Sequence, residues 1–424
     1  MTPADDASSP LGPSSDTERP SRLRVLVTGG GTGGHVYPAL AVCERLERDP
    51  EVESILYVGN AQGFEQRVIP ETGLAFESVV FTGMPRGFKP WALLQWMLSI
   101  PQAVLAALRI LNRFSPHVVL GTGGYVSAPV LMAARLKGIP YLVHEPDAWP
   151  GLVNRLMSYG ATMATGAFEV SGKRLHAARF EATGNPLRAS LTEQVPHATL
   201  TTDAKTRQQQ RAEALAALHS QLAKSSPANC SLANWSLANW SLDRPILLVT
   251  GGSQGAQRIN RALAGALPAL LESLQLQVIH QTGHRLYEDY WRNLPEALQQ
   301  HPNYCVQPYY ANMSLALSLA DVAVCRAGSL TLAELYLAQV PSILVPYPYA
   351  AANHQYKNAQ TSLNAGASWL LPDAECTSER MLALLTALLN DPAQLAQMRQ
   401  ACRLLAKPGA AERLVVCLKA LARW

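Results

Sequence analysis

The chain has 424 residues, of which 48% are hydrophobic and 16% are charged, and its formal net charge is +4 at pH 7. This length allows two or three domains with cores of their own, and the composition excludes a disordered or fibrous protein. A net charge this small does not indicate a nucleic-acid partner, although it allows a local basic patch against phosphate or anionic lipid.

The N-terminal segment is polar and lacks the apolar core of a secretory signal peptide, so we expect a disordered tail over residues 1–21. The chain has seven cysteines, an odd number, and the sequence contains no CxxC pair. This usage favours free thiols in a reducing cytosol.

Between residues 22 and 188, short β-rich apolar runs alternate with helical patterns. The strand-like runs lie at 23–27, 55–59, 75–81, 117–121 and 140–144. The helical patterns lie at about 36–48, 91–113, 126–137 and from about 152. This alternation predicts a parallel sheet covered by helices.

The apolar stretch at 91–108 has no charged residue and nearly the length of a transmembrane helix. A membrane span here would place the strand-like runs at 75–81 and 117–120 on opposite sides of a bilayer and divide their sheet. We therefore expect a buried or half-buried helix.

The alternation stops at residues 189–244, which we interpret as a linker with an insertion. A polar, Ala- and Gln-rich run at 204–223 has the composition of a helix, and the pentapeptide SLANW occurs twice, at 231–235 and 236–240. A perfect short repeat in a linker suggests a surface excursion at the domain junction with no catalytic role.

The same alternation starts again in the C-terminal half. The strand-like runs lie at 245–250, 276–280, 303–307, 321–325 and 341–346. Two doubly wound α/β domains in tandem, 22–188 and 245–405, are the natural interpretation. The remaining segment, 406–424, contains an amphipathic helix that is able to pack back on the N-terminal domain.

The first strand runs into TGGGTGGHVYPALA at 28–41. Its glycines allow a tight turn and a close backbone approach, and the following helix offers free N–H groups to an anion such as a diphosphate. The spacing is neither that of a dinucleotide-binding GxGxxG loop nor that of a Walker A loop. His35 has the chemistry of a general base, but a hydrogen bond to the backbone or to a phosphate is an equally good interpretation.

Three more glycine-rich turns follow predicted strands. GTGGYVSAP at 121–129 predicts a second anion-binding loop, although tight helix–strand packing is an alternative. GGSQGAQRIN at 251–260 suits a pyrophosphate or nucleotide, and RAGSLTLAEL at 326–335 places Glu334 where a carboxylate could accept two ribose hydroxyls. For Glu334 alone, an ordinary solvated helix glutamate is the alternative.

Amide side chains cluster at 353–358, where they suit sugar hydroxyls. The sequence has no DxD motif and no His, Cys or carboxylate cluster with metal-ligand spacing, so we expect no cofactor and no obligatory metal. A helix N-terminus could then stabilise a departing diphosphate.

In order and spacing, these motifs resemble the MurG family of peptidoglycan N-acetylglucosaminyltransferases, which have the GT-B fold: two Rossmann-like parallel-sheet α/β domains facing a cleft. The resemblance rests on GGTGGHVYPALA, GTGGYVSAP, HEPDAWPGLVNR (144–155), TGNPLR (183–188), GGSQGAQRIN and CRAGSLTLAEL, with NHQYKNA behind them. It implies inverting transfer of N-acetylglucosamine from UDP-N-acetylglucosamine to the muramyl 4-hydroxyl of lipid I. It also implies a peripheral enzyme at the cytoplasmic face of the bacterial inner membrane, with other cell-wall enzymes as possible partners.

The resemblance also implies site residues. Those on UDP-N-acetylglucosamine would be Thr32, Gly33, Gly34, Asp147, Asn154, Arg188, Ser253, Gln254, Tyr310, Ser329, Leu330, Thr331, Leu332, Ala333, Glu334 and Gln355. The acceptor diphosphate would meet Gly30, Gly31, Gly123, Gly124 and Tyr125, and His35 would be the candidate catalytic base. Asp147 is a departure, because the family usually shows Asn there, and an acid cannot donate the hydrogen bond that an amide can.

Residues 84–97 combine aromatic and basic side chains, which is typical of a membrane interface. The candidate contact residues are Arg86, Phe88, Lys89, Trp91 and Trp96. A core helix with a basic start is the alternative. At the level of function, the alternatives are another GT-B transferase such as a diacylglycerol galactosyltransferase, a UDP-N-acetylglucosamine epimerase, and a non-enzymatic scaffold that binds a nucleotide sugar.

Overall fold

The computed structural model describes residues 22–83, 85, 90–194, 204–225, 237 and 240–422. These residues form two α/β domains, each built on a parallel sheet, so the predicted fold class is confirmed. The expected tail at 1–21, the membrane candidates Arg86, Phe88 and Lys89, and the first SLANW copy lie outside the described residues.

The N-terminal sheet has seven strands in the order β3-β2-β1-β4-β5-β6-β7, and all neighbours pair in parallel. They are β1 (Leu23–Thr28), β2 (Val52–Gly59), β3 (Ala75–Ser78), β4 (Val118–Gly121), β5 (Tyr141–Glu145), β6 (Met163–Gly166) and β7 (Phe180–Glu181). The central strands β4, β5 and β6 are buried along their whole length, and β5 and β6 include the buried polar residues His144, Glu145 and Thr165.

The C-terminal sheet has six parallel strands in the order β10-β9-β8-β11-β12-β13. They are β8 (Ile246–Thr250), β9 (Gln277–Gln281), β10 (Tyr304–Gln307), β11 (Val322–Cys325), β12 (Ser342–Leu344) and β13 (Ser368–Leu370). In each sheet the strand order reverses once, between β1 and β4 and between β8 and β11. Ligands bind such sheets at the carboxyl ends of the strands beside this reversal.

Helices cover both sheets. Those of the first domain and the linker are α1 (Gly33–Leu46), α2 (Glu65–Val68), α3 (Pro90–Phe114), α4 (Ser127–Leu136), α5 (Leu152–Ser158), α6 (Glu169–Gly172), α7 (Ala189–Gln194) and α8 (Ala204–Ser225). The later ones are α9 (Gln257–Pro268), α10 (Tyr287–Asn293), α11 (Glu296–Gln299), α12 (Met313–Leu319), α13 (Ser329–Ala338), α14 (His354–Asn364), α15 (Ser378–Leu389), α16 (Pro392–Leu405) and α17 (Ala410–Ala422).

The last helix, α17, returns to the N-terminal domain. Leu414 and Leu418 are fully buried there, in the same apolar cluster as Leu40 of α1. Lys419 Nζ forms an ion pair of 2.8 Å with Asp49 Oδ2 at the end of α1. The C-terminal segment therefore completes the core of the first domain.

The linker helix α8 is an integral part of the second domain rather than a surface excursion, so that expectation is wrong. Leu218 is fully buried in the core cluster that contains α12, and Leu222 lies beside it. Arg211 Nη2 lies 2.7 Å from Asp321 Oδ2 at the start of β11. Trp240, the last residue of the second SLANW copy, is also buried, and its indole N–H donates to Pro302 O at 2.9 Å.

Helix α3 is less buried than expected, since only 17% of its apolar 18-residue window is buried. Within the described part of the chain it is the one helix long and apolar enough to cross a membrane. Its C-terminal half packs Ala107 and Leu111 into the N-terminal core. Its N-terminal half exposes large apolar side chains, including Trp91, Leu94, Met97 and Leu98.

Candidate functional site

The carboxyl edges of the two sheets face each other across a cleft. Helix α1, which starts after β1, contacts α13, which starts after β11. The guanidinium of Arg188 lies 4.5 Å from the centre of the Tyr37 ring on α1, and its charge acts on Glu334 of α13. The turns at the two strand-order reversals therefore open toward one shared space.

The first glycine loop uses two of its amides internally. The N–H of Gly30 donates to Gly123 O at 3.1 Å, and the N–H of Gly31 donates to the buried Glu65 carboxylate at 3.0 Å. These two N–H groups are therefore already occupied, and contact of Gly30 and Gly31 with an acceptor diphosphate stays a prediction. At the start of α1, Gly33 and Gly34 have no N–H partner among the described residues, so the free amides begin there.

The second glycine loop packs directly on the first. Gly123 and Gly124 both have positive φ, and a Cβ at Gly124 would lie 2.1 Å from Gly30 O. Close packing of the two loops therefore requires glycine at 124, and this contact joins loop to loop rather than helix to strand. Tyr125 lies next in the loop and is partly exposed, with its ring against Gly83.

His35 lies where the two loops meet. Its Nδ1 is 3.2 Å from both Gly30 O and Thr32 Oγ1, and its own carbonyl accepts a bond of 2.8 Å from Thr122 Oγ1. Burial lowers the pKa of His35, while the charge of Asp147 opposes this effect. The ring is thus held neutral near pH 7, which is the form that accepts a proton.

The segment after β5 is organised by Glu145, a buried residue that the sequence does not single out. Its carboxylate accepts hydrogen bonds from the N–H groups of Asp147 and Gly151, at 2.9 and 3.0 Å, and from Asn154 Nδ2 at 2.9 Å. Burial raises the pKa of Glu145 to about 8. Asn154 is thus occupied on its NH₂ side, and its buried Oδ1, which has no partner in the described structure, is the atom left for a ligand.

Asp147 joins the two domains. Its Oδ1 accepts a hydrogen bond of 2.8 Å from Asn358 Nδ2 on α14, and Asn358 Oδ1 accepts one of 2.8 Å from the N–H of Ala148. Asn358 Nδ2 also lies 3.2 Å from Ala327 O. Within the amide cluster at 353–358, Asn358 therefore bridges the domains rather than facing sugar hydroxyls. An acceptor suffices at position 147, which accounts for the tolerance of an acid there.

A second bridge lies beside the first. The ring of Trp149 is placed between two cations, with Arg174 Cζ at 3.5 Å and Lys357 Nζ at 3.0 Å from its centre. Arg174 belongs to the N-terminal domain and Lys357 to α14 of the C-terminal domain. Such cation–π contacts stabilise a defined spacing of the two domains.

On the C-terminal side, Ser253 and Gln254 are exposed in the turn that precedes α9. Gly255 has positive φ and packs so closely on Thr282 O that a Cβ would lie 2.1 Å from it. This packing holds the turn at the helix N-terminus, where a diphosphate would find free amides and a hydroxyl.

The residues of α13 divide between cleft and core. Ser329 begins the helix behind Gly328, and Leu330, Thr331, Ala333 and Glu334 are partly accessible. Leu332 is fully buried, so its side chain packs in the core and offers a ligand only its backbone. Burial raises the pKa of Glu334 to about 7, against the opposing charge of Arg188.

Two further predicted residues are committed to internal bonds. The N–H of Tyr310 donates to Gln281 Oε1 at 2.9 Å and its hydroxyl to Cys305 O at 3.0 Å, so its carbonyl is the group left for a base. Gln355 Oε1 accepts from the N–H of Tyr347 at 3.0 Å. Its NH₂ group remains for a sugar.

Tyr309 and His284 form an aromatic pair that the sequence reasoning misses. Their rings stack 5.3 Å apart, and Tyr309 lies near enough to Arg188 and Glu334 for their charges to act on its hydroxyl. The available signal is a tyrosine two residues after the end of β10. In the chain as described, no three His, Cys, Asp or Glu side chains cluster as metal ligands.

The chain matches two family models. Residues 25–165 match the glycosyltransferase family 28 N-terminal domain, and residues 246–414 match the glycosyltransferase family 28 C-terminal domain. The first match covers strands β1 to β6, and the second covers strands β8 to β13.

Similar proteins cover nearly the whole chain. A UDP-N-acetylglucosamine–N-acetylmuramyl-(pentapeptide) pyrophosphoryl-undecaprenol N-acetylglucosamine transferase of Desulforudis audaxviator is 36% identical, over 94% of this chain and 99% of that relative. The transferase of the same name from Syntrophotalea carbinolica is 38% identical, over 93% and 98%.

Solved structures agree in fold. The crystal structure of Acinetobacter baumannii MurG has a TM-score of 0.69 and 27% identity, covering 94% of this chain and 99% of that one. A UDP-GlcNAc 2-epimerase from Neisseria meningitidis has a TM-score of 0.61 at 14% identity, covering 94% and 100%, a likeness of fold alone.

Proposed function

The chain belongs to the family of UDP-N-acetylglucosamine–N-acetylmuramyl-(pentapeptide) pyrophosphoryl-undecaprenol N-acetylglucosamine transferases, and from this premise we propose how its cleft performs the transfer. The protein is a UDP-N-acetylglucosamine-dependent glycosyltransferase of peptidoglycan synthesis that converts lipid I to lipid II. The observation that carries this function is the pair of facing strand-order reversals, each with its own glycine-rich turns. One side suits a nucleotide diphosphate, and the other suits a second phosphorylated substrate.

The donor occupies the C-terminal side. The turn with Ser253 and Gln254 holds the diphosphate at the N-terminus of α9, and Glu334 accepts hydrogen bonds from the ribose hydroxyls. The Tyr309–His284 pair supports this placement, because an aromatic surface beside Glu334 suits a uracil ring. Arg188 reaches in from the other domain and limits the cost of burying the Glu334 charge.

The reaction is a single in-line displacement with inversion. The muramyl 4-hydroxyl oxygen attacks the anomeric carbon, the bond from that carbon to the diphosphate breaks, and the hydroxyl proton passes to His35 Nε2. The helix N-termini of α9 and α13 stabilise the charge that develops on departing UDP. That no metal is obligatory remains a prediction.

The acceptor lipid places the N-terminal domain at the membrane. The exposed half of α3 presents Trp91, Leu94, Met97 and Leu98, which suits an acyl–headgroup boundary on the cytoplasmic face of the inner membrane. Trp96 is different, because its indole N–H donates to Thr82 O at 3.0 Å and its ring packs on Phe81. It braces the start of α3, so Trp91 is the better anchor.

Vesicle binding tests this surface. Leu98→Glu should weaken binding to vesicles with anionic lipid by about tenfold, because a charge replaces an inserted apolar group. The matched control is Leu404→Glu, an equally exposed leucine on α16 of the other domain. If the two variants bound the vesicles equally well, α3 would not be the membrane-binding surface.

Product formation tests the function itself. The purified chain is incubated with UDP-N-acetylglucosamine and a soluble lipid I analogue, and we expect the β-1,4-linked disaccharide and UDP in equal amounts. Without acceptor, no UDP-N-acetylmannosamine should form, which separates this enzyme from an epimerase. His35→Ala should reduce turnover by about 10²–10⁴ while donor binding persists. Epimerisation without transfer would overturn the proposal.

A further inference from the structure

One peptide group stands between a buried carboxylate and the imidazole of His35. The carbonyl oxygen of Gly30 lies 3.2 Å from His35 Nδ1, and the N–H of Gly31, in the same peptide unit, donates to Glu65 Oε2 at 3.0 Å. Hydrogen bonds at the two ends of a peptide polarise it in the same sense. A carboxylate at the N–H end therefore strengthens the bond accepted at the carbonyl end.

Glu65 is fixed in this position. Its side chain is fully buried, and Oε1 accepts a second hydrogen bond, of 2.8 Å, from the N–H of Asn60. A Cβ at Gly30, Gly59 or Gly63 would come within 2.5 Å of the Glu65 side chain. Glycine at all three positions leaves room for the carboxylate beneath the loop, where it cannot reach a substrate.

We infer that Glu65 is a positioning residue for the transfer reaction, which holds the ring proton of His35 on Nδ1 through the 30–31 peptide. Nε2 is then unprotonated and free to accept the proton of the attacking hydroxyl. The inference rests on the proposed role of His35 as base. In a catalytic triad, a carboxylate bonds the histidine directly and fixes its tautomer. Here a backbone peptide lies between the carboxylate and the histidine and transmits the same effect.

The surroundings of the ring agree with this tautomer. The Nε2 edge lies against Gly123, where a Cβ would come within 3.1 Å of Nε2, and the described residues give that nitrogen no hydrogen-bond partner. Space for an acceptor hydroxyl is thus available on that side only because residue 123 is a glycine.

Thr32 supplies the competing arrangement. Its Oγ1 lies 3.2 Å from Nδ1, and if it donated there, the ring proton would sit on Nε2 instead. The charged or titratable groups that act on His35 are Asp147, His354 and Glu65. Asp147 and Glu65 favour the imidazolium that forms during transfer, whereas His354 and burial oppose it.

The first experiment reads the proton directly. In ¹⁵N NMR spectra of the full chain, with His35→Gln used for assignment, we expect neutral His35 to carry its proton on Nδ1. In Glu65→Gln the Nε2-protonated form should become populated, while Glu71→Gln, an exposed glutamate of the neighbouring turn, should leave the spectrum unchanged. If the neutral His35 ring of the wild-type protein carried its proton on Nε2, that result alone would overturn the inference.

The second experiment is a double-mutant cycle on kcat. In the wild-type background, Glu65→Gln should lower kcat by about 10–100-fold and leave the calorimetric Kd for UDP-N-acetylglucosamine unchanged. In the His35→Ala background, the same substitution should lower kcat by less than about twofold. The acid limb of its pH profile should move to lower pH, because a charge that favours the imidazolium is gone. Equal losses in both backgrounds would make Glu65 a structural residue and overturn the inference, while His35→Ala with wild-type turnover would overturn the proposed base.

Discussion

The ammonium nitrogen of Lys357 lies 3.0 Å from the centre of the Trp149 ring, and these two residues belong to different domains. Lys357 is one residue before Asn358, whose amide bonds Asp147 and Ala148. A short stretch of α14 thus holds the loop after β5 through an aromatic ring, a side-chain carboxylate and a backbone amide. These contacts set the width of the cleft at its reacting end.

Trp149→Ala should open the cleft. We expect a loss of about 0.5–2 kcal/mol for the cation–π contacts, a lower Tm and a larger radius of gyration by small-angle X-ray scattering. Trp149→Phe should retain part of the effect. The control is Trp91→Ala, which removes an exposed tryptophan of α3. A scattering curve of Trp149→Ala identical to that of wild type would contradict the role of this bridge.

Asp147→Asn should alter the pH dependence of kcat/KM but retain the hydrogen bond to Asn358. An asparagine oxygen can still accept from Asn358 Nδ2, but the negative charge that raises the pKa of His35 is lost. The pKa of His35 falls further, so the base stays neutral to lower pH and the acid limb of kcat/KM moves down. The measurement is a pH–rate profile with a soluble acceptor. An upward shift would be inconsistent with this electrostatic coupling.

Glu334 predicts a pH dependence of donor binding. Burial raises its pKa to about 7, so UDP-N-acetylglucosamine should bind up to about tenfold tighter at about pH 8 than at about pH 6, as the carboxylate ionises. Glu334→Gln should flatten this dependence, and Arg188→Ala should move its midpoint upward. Isothermal titration calorimetry suits the test, because the esterified diphosphate does not titrate in this range. If the Kd of the Glu334→Gln variant for UDP-N-acetylglucosamine depended on pH as in wild type, Glu334 would not be the group that causes the pH dependence.

Leu218→Ala tests whether α8 belongs to the second domain. Removing a fully buried leucine side chain should cost about 2–5 kcal/mol of the free energy of unfolding in urea. Ser220→Ala, at an exposed position two residues on, should change it by less than about 0.5 kcal/mol. If both variants unfold like wild type, the helix contributes nothing to the core.

Metal removal tests the stabilisation of the leaving group. If helix N-termini carry this role, turnover in excess EDTA should stay within about twofold of the untreated rate. The measurement is UDP release with the soluble acceptor, followed by addition of Mg²⁺ or Mn²⁺. Loss of activity in EDTA that either ion restores would show that a metal supplies this charge.

Periodicity and turn residues predicted two parallel sheets, but not all of their strands. Strands β6, β7 and β13 were missed, because runs of four, two and three residues are too short to show a period. The glycine-rich turns likewise predicted where the cleft would lie. The sequence did not predict which backbone N–H groups of these turns are free to bind a ligand. Only the fold shows that Gly30 and Gly31 donate inward, because their partners, Gly123 and Glu65, are distant in sequence.

The remaining errors have a similar origin. Helix α8 is polar in sequence, and its narrow apolar stripe at Ala214, Leu218 and Leu222 gains meaning only against α12. Tyr310 has its side chain in the core and only its backbone left for a base, whereas Tyr309, which the sequence reasoning missed, faces the cleft. Adjacent residues of a turn point in different directions, and the sequence does not specify which one faces a ligand.

The position of helix α17 affects the order in which the two domains can fold during synthesis. The apolar face of α1 that Leu414 and Leu418 cover is translated before the second domain, whereas these two leucines are translated after it. The first domain therefore cannot finish folding until the second has been made. A premature stop codon just before α17 would therefore damage the domain that was synthesised first.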